Sequence, residues 1–194
     1  MCMDRETELD LVRRLRDGDE EAFDAVYEAF RAPLFTFLRR LGRRRDVAED
    51  LLDETWLRLV ASARSLRPDT RLAAWLFTVA RNLFLSHQRS RGRDAGRTGE
   101  LGCVTLAEGA SPFDRAVGNE LQRRLESALA RLPQAHRDAL LLVAVAGFTP
   151  SQAAEVCGVR PEAMRQRLAR ARACLCRLVA DCLEGTNHAT RRVP

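Results

Sequence analysis

"TPSQAAEVCGVRPEAMRQRLARARACLCRL", Thr149 to Leu178, holds two helical patterns separated by a glycine. Thr149 and Gln152 have capping-box spacing, and Pro150 and Pro161 sit where a first-turn proline is tolerated. The pattern predicts a short helix ending at Gly158, a tight turn, and a longer helix starting near Pro161. Ala153, Ala154, Cys157 and Val159 are spaced to pack against Met164 and Leu168. Short helix, glycine turn and long helix are the layout of a helix-turn-helix. At about 100° per residue, Met164, Leu168, Ala171, Leu175, Leu178, Val179 and Cys182 fall within roughly 100° and form a buried stripe. Arg165 and Arg172 flank it on one side and Arg167 on the other, with Arg170 and Arg177 further round. Glu162, Gln166, Ala169 and Ala173 face outward. Flanking arginines suit phosphates on two groove walls, and small outer residues allow close approach to base edges. A solvated arginine face is the competing reading; turn, caps and wheel together favour DNA.

Charge distribution points the same way. The chain has 194 residues, a net charge of +5 and 32 basic residues, all of them arginine. Using arginine alone fits a GC-rich genome, so no single arginine is diagnostic. Residues 1–88 hold 15 arginines against 16 carboxylates, whereas residues 115–194 hold 13 against 7. The basic excess therefore lies in the C-terminal part, where a polyanion would bind. At 46% hydrophobic and 30% charged, the composition is that of a soluble globular chain. The longest apolar run, Ala139 to Phe148, is about half the ~20 residues a membrane span needs. The first residues, "MCMDRETELD", are polar and acidic, unlike a signal peptide. Six cysteines in that context predict reduced thiols and a cytoplasmic protein.

Helical periodicity dominates the rest, with no alternating strand pattern. Asp19 is the expected N-cap of a helix carrying Phe23, Val26, Tyr27 and Phe30. Pro33 is expected to break or bend the chain before "LFTFLRRLG", which Gly42 ends. Asp46 with Glu49 resembles a capping box opening a helix to about Ser62. A polar loop, Arg64 to Arg71, leads into "LAAWLFTVARNLFLSHQR". "SRGRDAGRTGELGCVTLAEGASP", Ser90 to Pro112, has five glycines and no period, which reads as a flexible linker. The expected fold is all-α: an N-terminal helical bundle over 1–89, the linker over 90–112, a helix-turn-helix domain over 113–183 and a tail over 184–194.

The acidic counterpart is "DVAEDLLDET", Asp46 to Thr55. On the wheel Asp46, Glu49, Asp50, Asp53 and Glu54 project within about 140°, opposite Leu51, Leu52, Thr55 and Leu59. The helix dipole accounts for acids in the first turn, but Asp53 and Glu54 lie beyond it. The stripe is expected to meet a cationic partner. Trp56, Trp75, Phe77 and Phe84 could stack on bases, but their helical spacing favours core packing.

Three stretches carry a family likeness. "GDEEAFDAVYEAFRAPLFTFLRRLG" (18–42), "DVAEDLLDETWLRL" followed by "RLAAWLFTVARNLFLSHQR", and the segment from "LESALARLPQAHRDALLL" through the helix-turn-helix are in register with the extracytoplasmic-function sigma factors. The chain resembles that family over most of residues 18–180. The resemblance implies a sigma region 2-like first domain and a region 4-like second one. It implies that the acidic helix docks Asp46, Glu49, Asp50, Asp53 and Glu54 on the clamp coiled coil of core RNA polymerase. Arg64, Arg67, Arg71, Asn82, His87, Gln88 and Arg89 would then hold the opened minus-ten promoter DNA. Arg160, Glu162, Arg165, Gln166, Arg167 and Arg170 would read the minus-thirty-five element. An anti-sigma factor is an implied further partner.

This chain departs from the family where Gln152, Ala153 and Ala154 replace Glu-Ile-Ala, Cys157 replaces Leu, and Glu162-Ala163 replaces Gly-Thr. The smaller side chains are expected to thin the helix-turn-helix core. A different class, an operator-binding regulator with an N-terminal sensing or dimerising domain, would need neither the acidic helix nor the arginine loop. No catalytic motif, cofactor, small-molecule substrate or metal site is expected. Cys174 and Cys176 diverge by about 160° on one helix and cannot share a metal. Cys103, in the linker, is a candidate for oxidation with no surroundings that lower its pKa.

Overall fold

The computed structural model describes residues 4–97 and 120–189, and every regular element among them is helical. The first lobe consists of α1 (Arg5–Asp17), α2 (Glu20–Gly42), α3 (Arg45–Ser62), a 3-10 turn (Ala63–Ser65) and α4 (Leu72–Arg97). The second consists of α5 (Glu120–Arg131), α6 (Gln134–Ala144), α7 (Pro150–Cys157) and α8 (Pro161–Ala189). Cys103 and most of the expected linker lie outside the described residues.

Local chemistry sets most boundaries. The Asp4 carboxylate accepts the Thr7 N–H to start α1, and Gly18 closes it at φ 84°. Asp19 caps α2 by accepting the N–H groups of Glu21 and Ala22. Its carboxyl is held below the usual range, chiefly by a hydrogen bond from Arg14. In the second lobe the Thr149–Gln152 capping box forms in both directions, with Pro150 at the first helical position. Gly158, at φ 64°, turns the chain from α7 into α8.

Three expected boundaries move. Pro33 does not break α2, which runs unbroken across it with Phe30, Leu34, Phe37 and Leu38 all buried. Packing of that face outweighs the one helical hydrogen bond a proline removes. Asp46 does not cap α3: the N-cap is Arg44, which makes no side-chain cap bond, and Asp46 pairs with Arg44 from the first turn. Helix α4 continues past Ser90 to Arg97, through the first part of the expected linker.

Gly42 ends α2, but the left-handed residue is Arg43, at φ 60°. Gly42 is needed for closeness instead: a Cβ there would lie 3.0 Å from the Phe84 ring. The end of α2 can therefore lie directly against α4.

In the first lobe Val12, Val26, Leu34, Phe37, Leu59, Leu76, Phe77 and Phe84 are buried; in the second Leu141, Leu142, Ala153, Ala154, Val156, Met164, Leu168 and Ala171 are. Val156 and Phe148 are buried in the same lobe, and Phe148 packs against Phe77 at 5.2 Å. On α8 the expected stripe is buried at Met164, Leu168 and Ala171 and half-buried at Leu175, Leu178 and Val179. Glu162, Gln166, Ala169 and Ala173 face outward as the wheel requires.

Replacing Thr149 by Ala removes the cap that registers α7, and stability to denaturant should fall by about 1 kcal/mol. An unchanged unfolding midpoint would mean the capping box does not hold the turn.

Candidate functional site

The acidic ridge on α3 is less uniform than its sequence. Asp46 is tied to Arg44, Glu49 to Arg45 at 2.8 Å and Glu54 to Arg58 at 2.8 Å. Hydrogen bonding from Arg44, more than any other cause, lowers the Asp46 carboxyl to about 2. That pair's contribution is present above the usual carboxylate range and is lost as pH falls toward 2. Asp50 and Asp53 are exposed and make no ion pair or side-chain hydrogen bond among the described residues. Beside them stand two residues that the sequence reading missed: Leu57, 64% exposed, and Val60, 59% exposed. At about 100° per residue both fall inside the carboxylate arc, so the wheel held the signal. One helix face thus offers two unpaired carboxylates followed by two bare apolar side chains. That combination suits a protein partner with a cationic, part-apolar surface.

The polar loop and the start of α4 form a cleft of about 410 Å³, lined by Arg67, Asp69, Thr70, Arg71, Ala74, Trp75, Thr78 and, from α7, Glu155. Its size is within the range of small-ligand pockets, enough to take one base. Trp56, Phe77 and Phe84 are buried as expected; Trp75 also packs against the core but is half-buried, and it lines the cleft as well. Asn82 and Arg89 follow Trp75 at seven-residue steps and continue its exposed face along α4. Arg89 lies back on its own helix, bonded to Leu85 O and Ser86 Oγ. Arg64, Gln88 and His87 do not join this group. Arg64 is exposed in the 3-10 turn, Gln88 is exposed on another flank, and His87 is half-buried with Nε2 unpartnered.

Two residues of α1 hold this loop. Arg5 donates to the carbonyls of Asp69 (2.7 Å) and Thr70 (3.3 Å) and to the Glu8 carboxylate at 2.6 Å. Glu8 is buried and accepts the N–H of Ala73 at 3.3 Å, in the first turn of α4.

On α8, Arg165, Gln166 and Arg170 are exposed and Arg167 is half-buried; Arg160, just ahead of the helix, is exposed. Glu162 accepts a hydrogen bond from Arg165 at 2.5 Å, so this arginine is paired within its own helix. Cys157 lies half-buried where α7 packs, and desolvation raises its thiol, the reverse of an activated nucleophile. No cluster of three or more metal-ligating side chains occurs among the described residues.

A polar seam joins the lobes. Asp138, fully buried, accepts from Arg81 of α4 at 2.6 Å and from Gln134 at 2.5 Å. Its neighbour Arg137 donates to Leu129 O, Ala130 O and Leu132 O at the end of α5 and to Leu41 O at the end of α2. One guanidinium thus satisfies the orphan carbonyls of two helix ends. Burial lowers its pKa, the largest cause, and the nearby Arg43 guanidinium adds repulsion. One Arg43 Nη1 and the Nδ1 of His136 are buried without partners.

A helical lobe with an acidic ridge and an arginine-lined cleft, followed by a helix-turn-helix lobe, defines a two-lobed DNA-binding protein that also engages a protein. The comparisons narrow the class. The family description Sigma-70 region 2 matches residues 26–94, and Sigma-70, region 4 matches residues 122–175. ECF RNA polymerase sigma factor EcfG of Rhodopseudomonas palustris is 36% identical over 146 residues, covering 75% of this chain and 78% of that protein. RNA polymerase sigma factor CarQ of Myxococcus xanthus is 33% identical, over 82% of this chain and 90% of that one. Among solved structures, sigma factor RpoE of Bartonella quintana, in complex with the anti-sigma factor NepR, has a TM-score of 0.68. It is 30% identical over 83% of this chain and 96% of that chain. CnrH in complex with the cytosolic domain of CnrY shares the fold at TM-score 0.70 and 22% identity, over 90% and 98%. The chain belongs to the extracytoplasmic-function family of RNA polymerase sigma factors. Sigma factors are regulatory DNA-binding subunits. No helix among the described residues is long and apolar enough to cross a membrane.

Replacing Asp138 by Asn leaves Arg81 facing an uncharged amide inside the seam. Loss of one partner of a buried pair costs on the order of 3 kcal/mol, which should loosen the lobes. Small-angle scattering should record a larger radius of gyration at unchanged helix content; an unaltered radius would show that the ion pair does not hold them.

Proposed function

We propose that the chain carries core RNA polymerase to selected promoters through three separate surfaces. The carrying observation is that its unpaired carboxylates and its outward arginines stand on different helices, α3 and α8. Asp50 and Asp53 are the charged centre of polymerase docking, with Leu57 and Val60 as its apolar part. Asp46, Glu49 and Glu54, already paired within the chain, contribute less. Arg67, Arg71 and Trp75 hold an unpaired base and its phosphates at the minus-ten element, with Asn82 and Arg89 tracking the strand. Arg160, Arg165, Gln166, Arg167 and Arg170 engage the minus-thirty-five duplex, and Glu162 must release Arg165 for it to reach a phosphate. The chain supplies recognition and strand capture, and the chemistry of RNA synthesis belongs to the polymerase. The domain division follows from these roles: the first lobe docks and melts, the second reads upstream.

Reading both elements at once requires the lobes to part. Elements about 25 base pairs apart are separated by about 85 Å of duplex at 3.4 Å per step. A closed chain of this length has a radius of gyration of about 16 Å. The 22 residues between Arg97 and Glu120 reach about 75 Å when extended, enough with the lobes themselves to span the gap. The Arg81–Asp138 seam is therefore a contact of the free chain. An anti-sigma factor is the second partner this reading includes, supported by the likeness to RpoE, which is seen bound to NepR.

Reversing charge at Asp50 and Asp53 (both to Arg) should abolish co-purification with core polymerase while the chain stays folded. Retained co-purification would remove α3 as the docking helix. Changing Arg165 and Arg167 to Ala should weaken upstream-element binding and reduce the slope of log affinity against log salt by about 2. An unchanged slope would place the phosphate contacts elsewhere.

A further inference from the structure

Helix α1 contributes to none of the three surfaces, yet two of its side chains reach the loop that forms the cleft. Arg5 and Glu8 act at the junction between that loop and α4. The loop's own contacts, the Thr70 N–H on Arg67 O at 3.0 Å and the Arg67–Asp69 pair at 3.1 Å, stop short of the first turn of α4. The first turn of α4 contains no acidic residue, so its free N–H groups and positive dipole end have no carboxylate of their own. Glu8 supplies one from 65 residues upstream, at the N–H of Ala73. The carbonyls of Asp69 and Thr70 sit just ahead of that turn, and the Arg5 guanidinium takes both. Arg5 and Glu8 also pair with each other, so the two anchors form one rigid bracket.

We infer that Arg5 and Glu8 are positioning residues for minus-ten recognition: they fix residues 69–73, and so the spacing of Arg67, Arg71 and Trp75 around the captured base. The inference rests on the minus-ten reading of this cleft. Neither residue touches DNA. Arg5 covers one side of the loop with a planar fork that serves two carbonyls and a carboxylate together. A lysine has the charge but not the fork, and cannot serve all three in one geometry. Glu8 is 8% exposed, so its carboxylate is committed to Arg5 and Ala73 and unavailable to a partner protein. Were this bracket only a stability element, its loss would weaken every activity of the first lobe alike. A positioning role affects strand capture alone.

The test uses the full chain bound to core polymerase and a pool of randomised single-stranded DNA selected on the wild-type complex. Arg5→Lys should lower affinity for the selected strands on the order of tenfold, with core binding and duplex upstream-element binding unchanged. Glu8→Gln keeps an acceptor for the Ala73 N–H and should lose less than Glu8→Ala. Wild-type strand affinity in Arg5→Lys, or an equal loss of core and strand affinity in the Glu8 variants, overturns the assignment. Arg67→Ala with Arg71→Ala provides the separate control on the cleft. If these two leave strand binding intact, the minus-ten reading fails together with the bracket. If they weaken it while the Arg5 and Glu8 variants do not, only the bracket fails.

Discussion

A chain proposed to hold both a cationic protein surface and polyanionic DNA must keep some of each charge out of its own ion pairs. Helix α3 meets this constraint by pairing three of its five carboxylates within the helix or its cap and leaving Asp50 and Asp53 free. Helix α8 leaves Gln166 and Arg170 exposed, as is Arg160 just ahead of it, while Met164, Leu168 and Ala171 are buried. Ion pairs within one exposed helix are each worth only tenths of a kcal/mol, so the paired residues can be recruited by a stronger partner. In the proposed function the unpaired ones are where such a partner first binds.

The seam between the lobes follows a different rule. Asp138 has no access to water, and Arg81 has little, so each requires the other for as long as the lobes touch. Pairs of this kind contribute little net stability but strongly penalise the loss of one member. Opening the lobes rehydrates both ions together and avoids that penalty. Arg137 adds to this balance, because its four carbonyl partners come from both lobes and its nearest cationic neighbour repels it. The aromatic contact of Phe77 with Phe148 supplies the apolar part of the closed state. Such a seam can be specific in geometry and still yield to a partner that binds the open chain.

What was legible in the sequence was local. The capping box at Thr149 and the turn at Gly158 follow from patterns a few residues long and are present as read; the stripe of α8 is buried at Met164, Leu168 and Ala171 and only half-buried beyond. The acidic arc was equally visible, but its charge drew attention from Leu57 and Val60 within it. Pro33 misled because helix propensity is a weak constraint where a long apolar face is packed. Asp46 was misread as a cap because Arg44, two residues earlier, captures its carboxylate. The Glu8 bracket and the Asp138 pair had no local signature: their partners lie 65 and 57 residues away in the chain. Only folding brings those charges together.

Amide hydrogen exchange on the free chain, on the chain with core polymerase, and on the chain with polymerase and promoter DNA tests the division of labour most directly. Polymerase alone should slow exchange in α3 and speed it along the seam at α6. The start of α8 should become protected only when duplex DNA is added. Exchange in α3 that ignores the polymerase, or protection of α8 that appears fully without DNA, would contradict the claim that the two charged helices serve different macromolecules.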